Sequence, residues 1–146
     1  MEICSLIPGV VDYNEVQARI EWGADVFDLQ EICFDPWNSR QISAALVVEG
    51  HVCVEIRQGF ASLSEPSKKL LELVTASRLH HGGHPVLRWN ASCVTAKENN
   101  DNLMFTKPER SKSSSRIDGI SATVNALARA ICGEDQTITY MGGFSS

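Results

Sequence analysis

This 146-residue chain has no apolar run near the ~20 residues a helix needs to cross a bilayer; segments such as Ile42 to Val48 stop far short. No basic region leads into an apolar stretch at the amino terminus, so no secretory leader is expected and the chain reads as cytoplasmic. Cysteine is sparse and scattered. Cys4, Cys33, Cys53, Cys93 and Cys132 lie singly, an odd set without CxxC spacing, which argues against a disulfide framework or a zinc knuckle and for small, buried apolar side chains. There is no GxxxxGK[ST] phosphate loop, which excludes an ATPase of that type, and no GxSxG elbow for a serine nucleophile. His80-His81-Gly82-Gly83-His84 gathers three histidines, but no cysteine is close by and the paired spacing of structural zinc sites is missing.

What is present is ordinary for a folded domain: 43% apolar and 21% charged residues, in a length that suits one core. Residues 1–133 are read as that domain, with 134–146 as a loosely held tail. The net charge of −5 is unevenly spread. Residues 1–35 hold eight acids against Arg19 alone, so the remainder is slightly basic. Lys107, Arg110, Lys112 and Arg116 fall within ten residues opposed only by Glu109, which puts any phosphate contact in the carboxyl-terminal half.

Periodicity supplies the elements. Asp12 and Glu15 fit a capping box ahead of a helix over 12–26, with Val16, Ile20, Gly23, Ala24 and Phe27 at helical spacing. Leu29 to Phe34, closed by Asp35-Pro36, reads as a buried strand. Asn38 is placed to cap a helix running to about Glu49 with Gly50 as its left-handed stop, and His51 to Ile56 alternates as the next strand. Helix and strand in alternation predict parallel crossover units. A third helix is expected over Ser64–Arg78 with Pro66 in its first turn, and a short one over Pro85–Cys93. Val94–Lys97 and Leu103–Thr106 flank turn-forming Glu98–Asn102 as a hairpin. Ser111–Ser115 is a serine-rich connection. The last helix is expected over Arg116–Ile131, with Ile117, Ile120, Val124, Leu127 and Ile131 as its stripe and Gly133 as its stop.

Two carboxylates stand out. Asp35 falls at the carboxyl end of a predicted strand, where α/β sheets assemble their sites. Asp118 sits in the first turn of the last helix at the edge of its apolar stripe, where the helix dipole favours an ionised acid. Each has a plainer explanation: Asp-Pro opens turns, and acids are common in first helical turns. Oxygen ligands from a strand end and a helix start suit Mg²⁺ or Mn²⁺.

Four segments, in order and at natural spacing, carry a resemblance. They are Phe34-Asp35-Pro36-Trp37-Asn38; Glu55-Ile56-Arg57-Gln58-Gly59-Phe60 with Leu63-Ser64; His81 through Ser92, including Pro85-Val86-Leu87-Arg88-Trp89-Asn90; and Arg116-Ile117-Asp118-Gly119. From about Pro8 to Ile131 the chain resembles the nuclease domain of the large terminase subunit of tailed bacteriophages. The resemblance implies an α/β, RNase H-like nuclease fold with a β-hairpin insert before the last helix. It implies a two-metal DNA endonuclease that holds Mg²⁺ or Mn²⁺ and acts in viral DNA packaging in the bacterial host cytoplasm. It makes Asp35 and Asp118 catalytic metal ligands expected to meet within a few ångströms, and Lys97, Lys107, Arg110, Lys112 and Arg116 phosphate contacts on double-stranded DNA.

The family's first catalytic acid lies on a strand upstream of anything matching Pro8, and its ATPase domain lies further upstream. The chain is accordingly expected to hold an incomplete sheet and to be inactive or weak alone, as a split-gene product, a prophage remnant or a truncated piece. Portal protein, small terminase subunit and a separate ATPase-containing chain are the implied partners, and no membrane is. The alternative is a non-catalytic module that keeps the fold and docks on DNA or portal through its basic insert. Another RNase H-like nuclease, such as a resolvase or transposase, is not suggested by these motifs.

Overall fold

The computed structural model describes residues 12–37, 39–108 and 115–132. It is an α/β structure in two compact units, one ending at Glu55 and the other beginning at Ile56.

The first unit is helix, strand, helix, strand. Helix α1 spans Tyr13–Val26, and the Asp12 side chain caps it by accepting a hydrogen bond of 2.8 Å from the Asn14 N–H. The expected apolar face of α1 is only half-covered: no residue of the helix is buried, and Phe27 just beyond it is exposed, edge-on to Trp22. Strand β1 (Ile32–Phe34) pairs in parallel with β2 (Cys53–Glu55), with Phe34 beside Glu55. Helix α2 (Arg40–Val48) is the crossover, and among the described residues of the unit Leu46 and Val54 are the buried apolar ones. A parallel pair demands such a connection, since a tight hairpin cannot reverse the chain twice. Gly50 closes α2 as expected: its φ of +95° lets the His51 N–H reach back to the Leu46 carbonyl at 3.0 Å. At the other end of α2, Asn38 lies outside the described residues; Ser39 holds the cap position, and its hydroxyl donates to the Asp35 carbonyl.

The second unit is built on helix α3, Phe60–Thr75. The sequence places its start at Ser64, on the reasoning that Pro66 belongs in a first turn. It starts four residues earlier, at Phe60 with Gly59 in the cap position, so Pro66 lies inside the helix and withholds the N–H that would bond to Ser62. The helix runs through because this stretch is held by burial: Leu63, Ser64, Pro66, Ser67 and Leu70 all face inward. Helix α4 (Pro85–Ser92) follows, with proline at its first position. Strands β3 (Thr95–Asn99) and β4 (Asn102–Thr106) form an antiparallel hairpin closed by Asn100-Asp101, tighter than the five-residue turn read from sequence because Asn100 accepts φ of 51°. Helix α5 spans Asp118–Ala130, and its stripe buries Val124. Helix α3 packs on both β4 and α5, and α4 packs on α5. Among the described residues Ile56, Leu63, Leu70, Leu103 and Val124 are the buried apolar core of this unit. The expected Gly133 stop, the 134–146 tail and most of the serine-rich connection lie outside the described residues.

Candidate functional site

Asp35 follows directly on β1, at the carboxyl end of the parallel pair. Its carboxylate is exposed, and one oxygen accepts the Trp37 N–H at 3.0 Å. That bond is the side-chain turn an Asp-Pro step favours, and it fixes the carboxylate on the turn between β1 and α2. Parallel strands end on the same side, so Glu55, the exposed last residue of β2, stands at the same edge of the sheet as Asp35. Glu55 is a carboxylate that the sequence reading quoted inside a motif but assigned no role.

Asp118 is the first residue of α5. Its side chain is exposed, and among the described residues no hydrogen bond or ion pair engages the carboxylate. Asp35 belongs to the first unit and Asp118 to the second. Among the described residues no three His, Cys, Asp or Glu side chains gather as a metal cluster.

The start of α5 is organised by a residue that sequence reasoning passed over. Asn90 on α4 is buried, 4% exposed, and uses both ends of its carboxamide. Nδ2 donates to the Arg116 carbonyl at 2.9 Å, and Oδ1 accepts from the Gly119 N–H at 2.9 Å. The residue in the cap position, Ile117, has no side chain able to do this. Gly119 suits the closeness of approach: a Cβ there would lie 2.7 Å from Asn90 Oδ1 and 3.0 Å from a Leu87 methyl, so the carboxamide would have to shift off its bonds. A signal for the pair existed in the sequence, since a polar residue on a short helix's inner face and a glycine in a helix's first turn both run against propensity.

The basic residues are spread over the second unit. Lys97 is exposed in mid-β3, Lys107 is exposed just past β4, and Arg116 is exposed just before α5 with its guanidinium donating to the Ser115 carbonyl at 3.1 Å. Arg110 and Lys112 lie outside the described residues. The strand carrying Lys97 is exposed along all five residues, whereas β4 buries Leu103 against the core. Among the described residues no helix is long and apolar enough to cross a membrane.

Comparison with known proteins gives consistent matches. A family profile described as "terminase large subunit, endonuclease domain" matches residues 3–134. The terminase large subunit of Enterobacteria phage HK97 is 33% identical over 140 residues, covering 93% of this chain and 26% of that protein. Protein YmfN of Escherichia coli strain K12 is 28% identical over 126 residues, 86% of this chain and 28% of that protein. The crystal structure of the HK97 large terminase superposes with a TM-score of 0.69 at 31% identity, over 82% of this chain and 25% of that one. The chain thus spans about a quarter of the length of the curated relatives it matches.

Proposed function

We propose, since this chain belongs to the family of terminase large subunit endonuclease domains, that it is the DNA-cutting portion of such a subunit, acting on double-stranded viral DNA during packaging. The observation that carries this reading is the family match over residues 3–134, which includes both Asp35 and Asp118, joined to a structural likeness at 31% identity. The reading includes an RNase H-like nuclease fold for the complete domain and a requirement for Mg²⁺ or Mn²⁺.

The donor set suits those ions. Asp35 and Asp118 are exposed carboxylates; one oxygen of Asp35 is used in its turn and the other has no described partner, and Asp118 has both oxygens free of described partners. Hard oxygen donors that leave room for several waters are what Mg²⁺ prefers. A bound ion of this kind supplies Lewis acidity toward a phosphate oxygen and an activated water. The contribution of the protein is to hold each carboxylate within its own unit, Asp35 on a side-chain-locked turn and Asp118 at a braced helix start. Lys97, Lys107, Arg110, Lys112 and Arg116 would meet the DNA backbone, giving affinity and register rather than sequence choice. Portal protein, small terminase and an ATPase-bearing chain are the expected company of this portion, and alone it is expected to cut weakly or not at all.

Mn²⁺ titration of the full chain by calorimetry tests the reading. Asp35→Ala and Asp118→Ala should each abolish or sharply weaken binding. Wild-type affinity in both variants would refute the ligand assignment and favour a non-catalytic module that docks on DNA or portal through the basic residues. For that second reading the supporting observation is the exposed hairpin strand bearing Lys97. Its signature is DNA binding that needs no metal and weakens steeply with salt.

A further inference from the structure

The connection between α4 and α5 runs through one carboxamide. Asn90 is nearly sealed from solvent, its donor end holds the Arg116 carbonyl, and its acceptor end holds the Gly119 N–H. Those two groups flank Asp118 from either side in the chain. A buried carbonyl needs a donor and a buried N–H an acceptor, so the partners also fix which end of the amide is which. Gly119 has no Cβ at the one place where a Cβ would collide with Asn90 Oδ1 at 2.7 Å. Past this point α5 closes on itself, with the Ser121 N–H on the Ile117 carbonyl at 2.9 Å and the Thr123 hydroxyl on the Gly119 carbonyl at 2.8 Å.

An N-cap ordinarily comes from the residue just before the helix. Here it comes from a different helix, and the consequence differs. A local cap shapes the first turn only, whereas Asn90 also fixes where that turn lies relative to α4. The Asp118 backbone is thereby pinned on both sides while its carboxylate stays exposed and free.

We propose that Asn90 is the positioning residue for Asp118, a cap supplied across the α4–α5 contact that sets the carboxylate for metal binding, with Gly119 as the clearance that lets the two helices approach. This rests on the metal-ligand reading of Asp118 given above. Asn90 touches no reacting group; it acts through Asp118. Substitutions behind a metal ligand ordinarily weaken affinity on the order of 10–100-fold.

The test is a double-mutant cycle on the full chain with Mn²⁺ as the probe, read by calorimetry, together with amide hydrogen exchange of α5. Asn90→Leu, close in shape but without either bond, should weaken Mn²⁺ binding by on the order of 10-fold or more. It should also strip protection from the Gly119 amide and the first turn through Ser121, leaving the amides of Leu127 to Ala130 protected. In an Asp118→Asn background the same substitution should produce no further loss of Mn²⁺ affinity, because the residue it acts through is gone. Asn90→Asp is the second variant should Asn90→Leu fail to fold. It keeps the acceptor for Gly119 and loses the donor to Arg116, and it should retain Gly119 protection while still weakening Mn²⁺. Gly119→Ala should reproduce the loss from the other side of the contact.

An equal loss in wild-type and Asp118→Asn backgrounds would show Asn90 to be a general fold contact and overturn the proposal. So would wild-type Mn²⁺ affinity with unchanged α5 exchange in both Asn90 variants. If the unsubstituted chain binds no Mn²⁺, the ligand reading of Asp118 falls and the metal role of Asn90 falls with it; the exchange data identify that outcome, since they still show the cap.

Discussion

Replacing Ser64 or Ser67 by alanine is the same chemical deletion at two buried positions one turn apart on α3, and the structure predicts opposite signs. The Ser64 hydroxyl accepts the Leu103 N–H at 3.1 Å. Leu103 lies opposite Glu98, the first pair beyond the turn-closing Asn99 and Asn102, so in an antiparallel ladder its N–H points away from β3. Ser64 is the group that meets it. Removing that hydroxyl leaves a buried backbone donor without a partner, at a cost of about 1–3 kcal/mol. Ser67 is fully buried, and among the described residues its hydroxyl has no hydrogen-bond partner. Its desolvation is uncompensated in the folded state, so alanine should stabilise by about 1 kcal/mol, trimmed slightly by the small void left behind. The two variants should differ by about 3 kcal/mol, which for a chain of this length separates their melting temperatures by on the order of 10 °C. Urea and thermal unfolding followed by circular dichroism measure this directly, and an unchanged m-value would show that the difference lies in the folded state. A destabilised Ser67→Ala, or a Ser64→Ala as stable as wild type, would refute the hydrogen-bond accounting.

Other consequences are open to simple measurement. Helix α3 ends with Ser77 at φ of 55° and the Arg78 N–H on the Leu73 carbonyl, the same closure Gly50 gives α2. Ser77→Gly should therefore stabilise, and Gly50→Ala destabilise, each by about 1 kcal/mol in chemical unfolding. Burial pushes the Cys53 thiol above its ordinary value, favouring the neutral form in the fold. Its alkylation by iodoacetamide should keep accelerating as pH rises past the ordinary thiol range. The associated stability is present below the unfolded thiol pKa and lost as pH climbs through the raised one. Saturating Mn²⁺ should raise the melting temperature of the wild-type chain and not that of Asp118→Ala, by about 2.7 kcal/mol of added stability at one hundred times Kd.

Periodicity made the sequence legible wherever one face of an element repeats. The α5 stripe, the Gly50 stop and the parallel crossover all follow from residue spacing and turn chemistry, and the structure contains them. The start of α3 did not follow. Proline is a strong local signal for a first turn, and tertiary burial of Pro66 and its neighbours overrides it. The hairpin was recognisable from its turn residues, but its register depended on a left-handed Asn100, which composition does not specify. Asp35 and Asp118 were legible because charged side chains at element ends stand out. Asn90 was only half legible: a polar residue on the inner face of a short helix is a local oddity, but the two bonds that give it meaning reach residues 26 and 29 positions away.

The β3–β4 hairpin carries its constraints on one strand. Helix α3 roofs β4, takes Leu103 into the interior and occupies its outward-facing amide, while every residue of β3 faces solvent. Changes along Thr95–Asn99 therefore cost the interior almost nothing, and changes along β4 disturb helix, strand and core together. The outer strand is free to drift or to be retuned in charge, and the inner strand is the rail on which it does so.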